Sequence, residues 1–406
     1  MRLTAVLLIL LMLPASGQTS ADRAEAYAED FDAFWTFVDE YYAYFHVKQT
    51  DWDQVRAVYR PHAIQAADNR AFLNILEAAV GELYDPHAGF NTNNQASPRL
   101  IPSGTDLWAE WQNGQAVITS VRRGSNAEKA GIRPGMTVID VAGVSVEQAV
   151  AAWMPKALGE PDPDARNWAL RSALAGRHQD SVRVRLQHAS NAEAFTFVPG
   201  LSRPAQRLSF ETLPGNIGYI RVHNTLGDGR LVAAFDSALA ELSSTKGLIL
   251  DLRDTPGGGN TTVARGLMSR LIVEEQPYQK HELVSEERET GIRRFWTEWV
   301  APRGPFSYSN PLIVLAGRWT GSMGEGLTIG LDGMGRATVV GTPMARLLGA
   351  VYTHRLPNTG IGIRVPAEQL RHVDGTPREA FVPPVLVDQQ AGGRDEALLK
   401  ALSLFE

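Results

Sequence analysis

PLIVLAGRWTGSMGEGLTIGL, residues 311–331, contains an apolar run, a glycine-flanked serine and a helix-like stretch in immediate succession. The run 311–316 reads as a buried strand, and 326–331 reads as the body of a helix. A strand that turns sharply into a helix with serine at the corner lifts the hydroxyl above the sheet edge. It also sets that hydroxyl near the positive end of the helix. Serine is a favoured N-cap and glycine a favoured turn residue, so the corner alone is also compatible with a purely structural turn. In that structural reading Glu325, three residues after Ser322, completes a capping box.

Upstream lies a second glycine corner, DLRDTPGGG at 251–259, which follows another apolar run, KGLIL at 246–250. Three successive glycines after a strand suit close backbone approach to a ligand. One corner can supply a nucleophile and the other unpaired N–H groups for an oxyanion, which points to a serine hydrolase. Around the corners, strand-like runs at 217–222, 247–252, 311–316 and 337–341 alternate with helical stretches at 231–242 and 261–273. That alternation predicts a layered α/β domain with parallel strand pairs.

N-terminal to this region the texture differs. Phe31, Phe34, Val38, Tyr41, Tyr42 and Phe45 recur at helical spacing and read as core. A second helix is expected to start at Asp68 and end before Asp85-Pro86, which delivers His87 to a loop. From Leu100 short β-like runs appear, joined by glycine turns. Among them RGSNAEKAGIRPGMTVIDVAG, residues 123–143, resembles the PDZ pattern, with a short helix over 127–130 and turns at Gly135 and Gly143. PDZ domains bind extended chain ends by adding a strand to a sheet edge.

The chain has 406 residues, enough for two or three domains, with 44% hydrophobic and 21% charged residues. A net charge of -6 offers no electrostatic case for nucleic acid. Met1-Arg2, an apolar run over 3–13 and the small residues of 14–17 predict a cleaved signal peptide and an exported protein, periplasmic or extracellular. The run is too short to span a bilayer core of roughly 30 Å, so no stable membrane anchor is expected. The sequence contains no cysteine, which excludes a disulfide framework, a thiol nucleophile and thiolate-bound zinc. Neither a histidine–carboxylate spacing for metal nor a phosphate-binding loop occurs, so no cofactor is implied.

The order of these parts resembles the tail-specific, or C-terminal processing, serine peptidases of family S41. The helical start, the embedded PDZ segment, DLR-x-x-PGG at 251–258 and Ser-x-x-Glu at 322–325 carry the resemblance. It implies a multidomain α/β protein: a helical subdomain over 22–97, a PDZ-like domain over 100–198 and a ClpP/crotonase-like core over 206–392. A C-terminal helix or tail over 393–406 follows. It further implies polypeptide substrates, presented through free C-termini.

Within that family the partner of the serine differs between branches. A lysine 25 residues after the serine would fall at Leu347 here, and the nearby Arg346 cannot act as a base. The other branch resembles the catalytic part of tricorn protease and pairs the serine with a histidine and a glutamate. The resemblance then assigns Ser322 as nucleophile, His87 as base and Glu379 as the residue that orients His87. The amides of Gly257, Gly258 and Met323 form the oxyanion hole. With a histidine base, hydrolysis is expected to rise through one ionisation near pH 6 to 7.5. His46, His223, His354 and His372 are the alternative histidines. Two positions depart from the pattern: Thr255 stands where asparagine is usual, and Pro86 where a serine precedes the histidine. The alternative function is a weak or inactive member that serves as a hydrophobic-ligand-binding or PDZ scaffold protein.

Overall fold

The computed structural model describes residues 20–202, 204–390 and 393–406. The expected signal peptide at 1–17 lies outside the described residues. At the centre is a six-stranded sheet in the order Val385–Leu386, Ala337–Gly341, Leu312–Ala316, Gly247–Asp251, Ile217–Val222, Leu208–Leu213. Its pairs are parallel except the last, an antiparallel hairpin of 208–213 with 217–222. Every residue of Gly247–Asp251 and Leu312–Ala316 is buried, which is why both strands read as unbroken apolar runs.

Both faces of this sheet are covered. Helices Arg230–Glu241, Thr261–Met268 and Met323–Gly333 contribute Phe235, Leu267 and Leu327 to one core cluster. Helix Glu396–Ser403 closes the other face, with Ala401 packed among Ile249, Ile313 and Val340. Beyond the first helical layer lies a second, antiparallel sheet. It runs Gly89–Phe90, Gly362–Arg371, Gln276–Leu283, Arg294–Val300, with Ala350–Arg355 on the free side of 362–371. Tyr278 and Val300 of this sheet share the core of the Met323–Gly333 helix, so that helix is sandwiched between two sheets.

The helical region consists of Ser20–Tyr41, Trp52–Ile64 and Asn69–Gly81. Asp68 caps the third helix, its carboxylate accepting the Ala71 N–H at 2.8 Å. Phe31, Phe34, Phe72 and Leu76 pack with Ile363 and Val365 of the antiparallel sheet. The chain then leaves this core through Asp85-Pro86 and enters the two-residue strand Gly89–Phe90, so the His87 loop is pinned at both ends.

Residues from Leu107 to Phe197 build a third sheet, ordered Leu107–Gln112, Gln115–Val121, Thr137–Val141, Val182–His188, Asn191–Phe197. Helix Pro163–Ala175 lies along the first of these strands, where the Trp111 N–H donates to Asn167 Oδ1 at 3.0 Å. Several contacts fasten this β region and the segment before it to the central core. The Arg122 guanidinium pairs with the Asp254 carboxylate with both buried, the Trp319 indole N–H donates to the Thr105 carbonyl at 2.9 Å, and Arg318 meets Glu110 at 2.8 Å. Among the described residues no helix is long and apolar enough to cross a membrane.

Candidate active site

Ser322 precedes the first residue of helix Met323–Gly333 and holds φ 52°, ψ −113°. A side chain at positive φ costs of order 1–3 kcal/mol and persists only where its surroundings hold it there. Here the surroundings are close. A Cβ on Gly258 would lie 2.5 Å from Ser322 Cβ, and one on Gly321 would lie 2.9 Å from the Pro256 carbonyl oxygen. The two glycine corners therefore abut, and their glycines are required by space. The Thr255 carbonyl ties them together, accepting the Gly258 N–H at 3.2 Å and the Gly321 N–H at 3.3 Å. The Thr255 hydroxyl, in the place of the usual asparagine, donates to the Leu252 carbonyl at 2.8 Å and closes the end of its strand.

Across 235 residues of sequence, His87 Nε2 comes to 3.1 Å from Ser322 Oγ. His87 Nδ1 is 2.5 Å from the Leu348 carbonyl oxygen. A carbonyl only accepts, so Nδ1 carries the proton and Nε2 presents its lone pair to the hydroxyl. Burial pushes the imidazole down to about 3, helped by the nearby Arg378 and Arg364 guanidiniums, so it is neutral at ordinary pH. The loop itself is set by Asp85, whose Oδ1 accepts the His87 N–H at 2.9 Å and whose Oδ2 accepts the Tyr42 hydroxyl at 2.9 Å. Asp85 thus holds the loop from the position next to Pro86.

Glu379 was expected to hold His87, and no such hydrogen bond forms; the Leu348 carbonyl has the Nδ1 proton instead. Glu379 lies on the short turn Arg378–Ala380, and its Oε2 is buried without a hydrogen-bond partner. Burial raises its carboxyl, with the Arg378 and Arg371 charges opposing. The Tyr44 hydroxyl is likewise buried and unpartnered, and is raised by burial with the Glu379 charge behind it.

The amides assigned to the oxyanion are not equally free. The Gly257 N–H donates to Asn224 Oδ1 at 2.6 Å, and the Gly258 N–H goes to Thr255 as described. Met323, as the first helical residue, has no carbonyl of its own helix to meet its N–H. Glu325 is wholly buried, and its Oε2 accepts the Ser322 N–H at 2.8 Å. It therefore does serve the helix start, as the capping reading expects. It also reaches further, with Oε1 taking the Arg346 N–H at 2.8 Å and Oε2 the Leu347 N–H at 3.2 Å. Burial pushes its carboxyl up to about 7 against the pull of Arg378 and the three amides.

Of the alternative histidines, His354 stacks on Phe37, His46 on Tyr44 and His372 on Phe381, while His223 Nε2 is 3.1 Å from Ser209 Oγ. None of these contacts includes Ser322. Asp85, Tyr42, Asn224, Leu348 and Arg378 belong to the site although the sequence reading did not single them out. Asn224 carried a sequence signal only as an asparagine just after a strand, a residue type that tolerates the left-handed turn conformation it adopts here at φ 57°. The Leu348 contribution is a backbone atom and has no side-chain signature. Among the described residues no group of His, Asp and Glu is arranged to hold a metal ion.

Residues 216–384 match Peptidase family S41, and residues 23–81 match the Tricorn protease C1 domain. The carboxy-terminal processing protease CtpB of Bacillus subtilis (strain 168) is 23% identical over 340 residues, covering 81% of this chain and 61% of the relative. CtpA of the same organism is 26% identical over 203 residues, covering 47% of this chain and 39% of the relative. The chain thus spans less than two thirds of the length of these curated relatives. In three dimensions it is similar to the photosystem II D1 C-terminal processing protease, with TM-score 0.57, 19% identity and 92% and 97% of the two chains covered. Mature CPAF is similar at TM-score 0.61 and 16% identity, over 94% of this chain and 95% of the other. The match to Peptidase family S41 thus falls on the central core with the Ser322 corner, and the match to the Tricorn protease C1 domain falls on the helical region that leads to His87.

Proposed function

We propose that this protein is an exported serine endopeptidase that cleaves polypeptides through an acyl-enzyme and prefers free C-terminal tails. The observation that carries the reading is the Ser322–His87 contact at 3.1 Å, with the imidazole fixed in the tautomer a base requires. In the first step Nε2 takes the Ser322 proton as Oγ bonds to the scissile carbonyl carbon. The electron pair of the carbonyl bond moves to its oxygen, which the Met323 N–H faces. The imidazolium then gives its proton to the leaving amine as the C–N bond breaks. Water, deprotonated by Nε2, releases the acyl group and returns Ser322. This reading keeps Glu379 as the carboxylate that balances the imidazolium charge, and what supports it is a buried Oε2 without a hydrogen-bond partner.

The tail preference rests on the PDZ resemblance and on a cavity of about 350 Å³ between the helical and β regions. Phe90, Leu100, Trp153 and Trp168 give it apolar walls, while Lys156 and Arg177 supply positive charge suited to a terminal carboxylate. A second reading, a scaffold without hydrolysis, is favoured by one observation: Asn224 and Thr255 engage the Gly257 and Gly258 amides.

Labelling with a fluorophosphonate followed by intact-mass measurement separates the two. The enzyme reading expects one adduct, on Ser322, lost in Ser322→Ala. Peptide hydrolysis should fall to background in both Ser322→Ala and His87→Ala, because triad members act as a unit. Absence of any adduct on correctly folded protein would leave the scaffold.

A further inference from the structure

Glu325 touches both halves of the candidate site through the backbone. From the nucleophile side it receives the Ser322 N–H, and from the segment 346–349 it receives two successive amides, those of Arg346 and Leu347. The next residue in that segment is Leu348, whose carbonyl holds the His87 Nδ1 proton. On the opposite side of the segment is Arg378, buried, whose Nη2 donates to the Leu347 and Gly349 carbonyls at 2.8 Å each. Arg346 sits at φ 59°, an unfavourable conformation for a side-chain-bearing residue, so the segment needs this outside support.

A capping box would require only one of these contacts, the bond to the Ser322 N–H. The other two add nothing to the helix start. A buried carboxylate with three amide donors on two separate loops instead fixes the distance between those loops. We propose that Glu325 is a positioning residue for the reaction, setting the Ser322 corner and, through Leu347–Leu348, the orientation of His87, with Arg378 as its counterpart on the carbonyl side. This rests on the reading of Ser322 and His87 as nucleophile and base.

The experiment compares Glu325→Gln with wild type and with Thr328→Ala, which removes a buried bond inside the same helix, from the Thr328 hydroxyl to the Gly324 carbonyl. Glutamine keeps one acceptor oxygen but turns an NH2 group toward the backbone donors. A misplacement on the scale of 1 Å costs about 10²-fold in rate, so kcat per labelled site should drop by about 10²-fold with KM little changed. The downfield proton resonance of His87 Nδ1–H should shift as well. Thr328→Ala should lower Tm while kcat per labelled site and the resonance stay put. If Glu325→Gln does not fold, Arg378→Lys tests the same segment from its other side, with the same loss of kcat and the same shifted resonance expected. Wild-type kcat and an unmoved resonance in a folded variant would overturn the proposal. An inactive wild type would overturn the hydrolase reading instead, so the two failures are distinguishable.

Discussion

On one side of the Ser322 hydroxyl, the imidazole of His87 is already at hydrogen-bond distance, neutral and in the required tautomer. On the other side, the Gly257 amide is engaged by Asn224 and the Gly258 amide by Thr255. The base side is assembled, while on the oxyanion side two of the three assigned amides are occupied. The difference follows from what each side is made of. The base is a side chain clamped by Asp85, Leu348 and burial, whereas the oxyanion donors lie on a glycine turn that accepts whichever acceptor is nearest. The chemistry of proton transfer is therefore available before the site for developing negative charge is cleared.

The sharpest way to break this contrast is to remove the side chain that occupies the turn. Losing one oxyanion donor costs about 10²–10³ in kcat in enzymes that rely on it. Asn224→Ala frees the Gly257 N–H but leaves Gly258 on Thr255, so kcat should rise by about tenfold. A fall in kcat would mean that Asn224 orders the working turn and does not block it.

A smaller effect is expected in the pH dependence. The sequence alone leads to an ionisation of histidine near pH 6 to 7.5, but burial has moved His87 to about 3. In the site it is Glu325 that burial lifts into the neutral range, to about 7, against the lowering pull of Arg378. Protonation would turn one of its acceptor oxygens into a donor among three N–H groups. The acid limb of kcat/KM, which reports the free enzyme, should thus lie near pH 7 and move well to the acid side in Glu325→Gln. Stability responds with opposite signs. Glu325 binds its proton more tightly folded than unfolded, so it favours the fold as pH falls from about 7 toward 4.5. His87, depressed from about 6.5, disfavours the fold as pH falls toward 3. These two contributions oppose each other between pH 4.5 and 6.5, so a loss of activity there should outrun any loss of Tm. A limb that stays at pH 7 in the variant would reassign it to a histidine.

The smallest effect concerns the β region. Two amides of its strand 107–112 are already engaged by side chains, Leu107 by Thr105 and Trp111 by Asn167. A tail must therefore gain most of its hold from its carboxylate and last side chain. Lys156 and Arg177 are both exposed, and an exposed charge pair is worth about 0.2–1 kcal/mol, so C-terminal amidation of a peptide substrate should raise KM a few-fold with kcat nearly unchanged. Equal KM values for acid and amide would remove tail recognition from the function.

How much of this the residues announce depends on the kind of contact. The strands 247–251 and 312–316 are legible because full burial on both faces writes an unbroken apolar run. Ser322 is legible because the corner needs glycine on either side. The antiparallel sheet of 276–300 and 350–371 was not read. Strands 276–283 and 362–371 mix buried and half-buried positions irregularly, a bulge interrupts 277–279, and Pro366 sits inside 362–371. Helix Trp52–Ile64 is also absent from the sequence expectations, because Pro61 falls within it. Within the site, side chains with a distinctive pKa or a turn requirement could be named, and backbone partners could not. The Leu348 carbonyl displaced Glu379 as the partner of His87, and no residue type predicts that.

The fastening of the β region has a consequence for how the protein can be divided. Arg122 reaches into the 251–259 turn to meet Asp254, while Trp319 and Arg318, two neighbours of the serine corner, are anchored on Thr105 and Glu110. Cutting out the β region would take a guanidinium away from a buried carboxylate and strip the cover from the loop that carries Ser322. An isolated catalytic core would be a damaged one, because part of the wall that shapes the serine corner is contributed by a segment about 200 residues earlier in the chain.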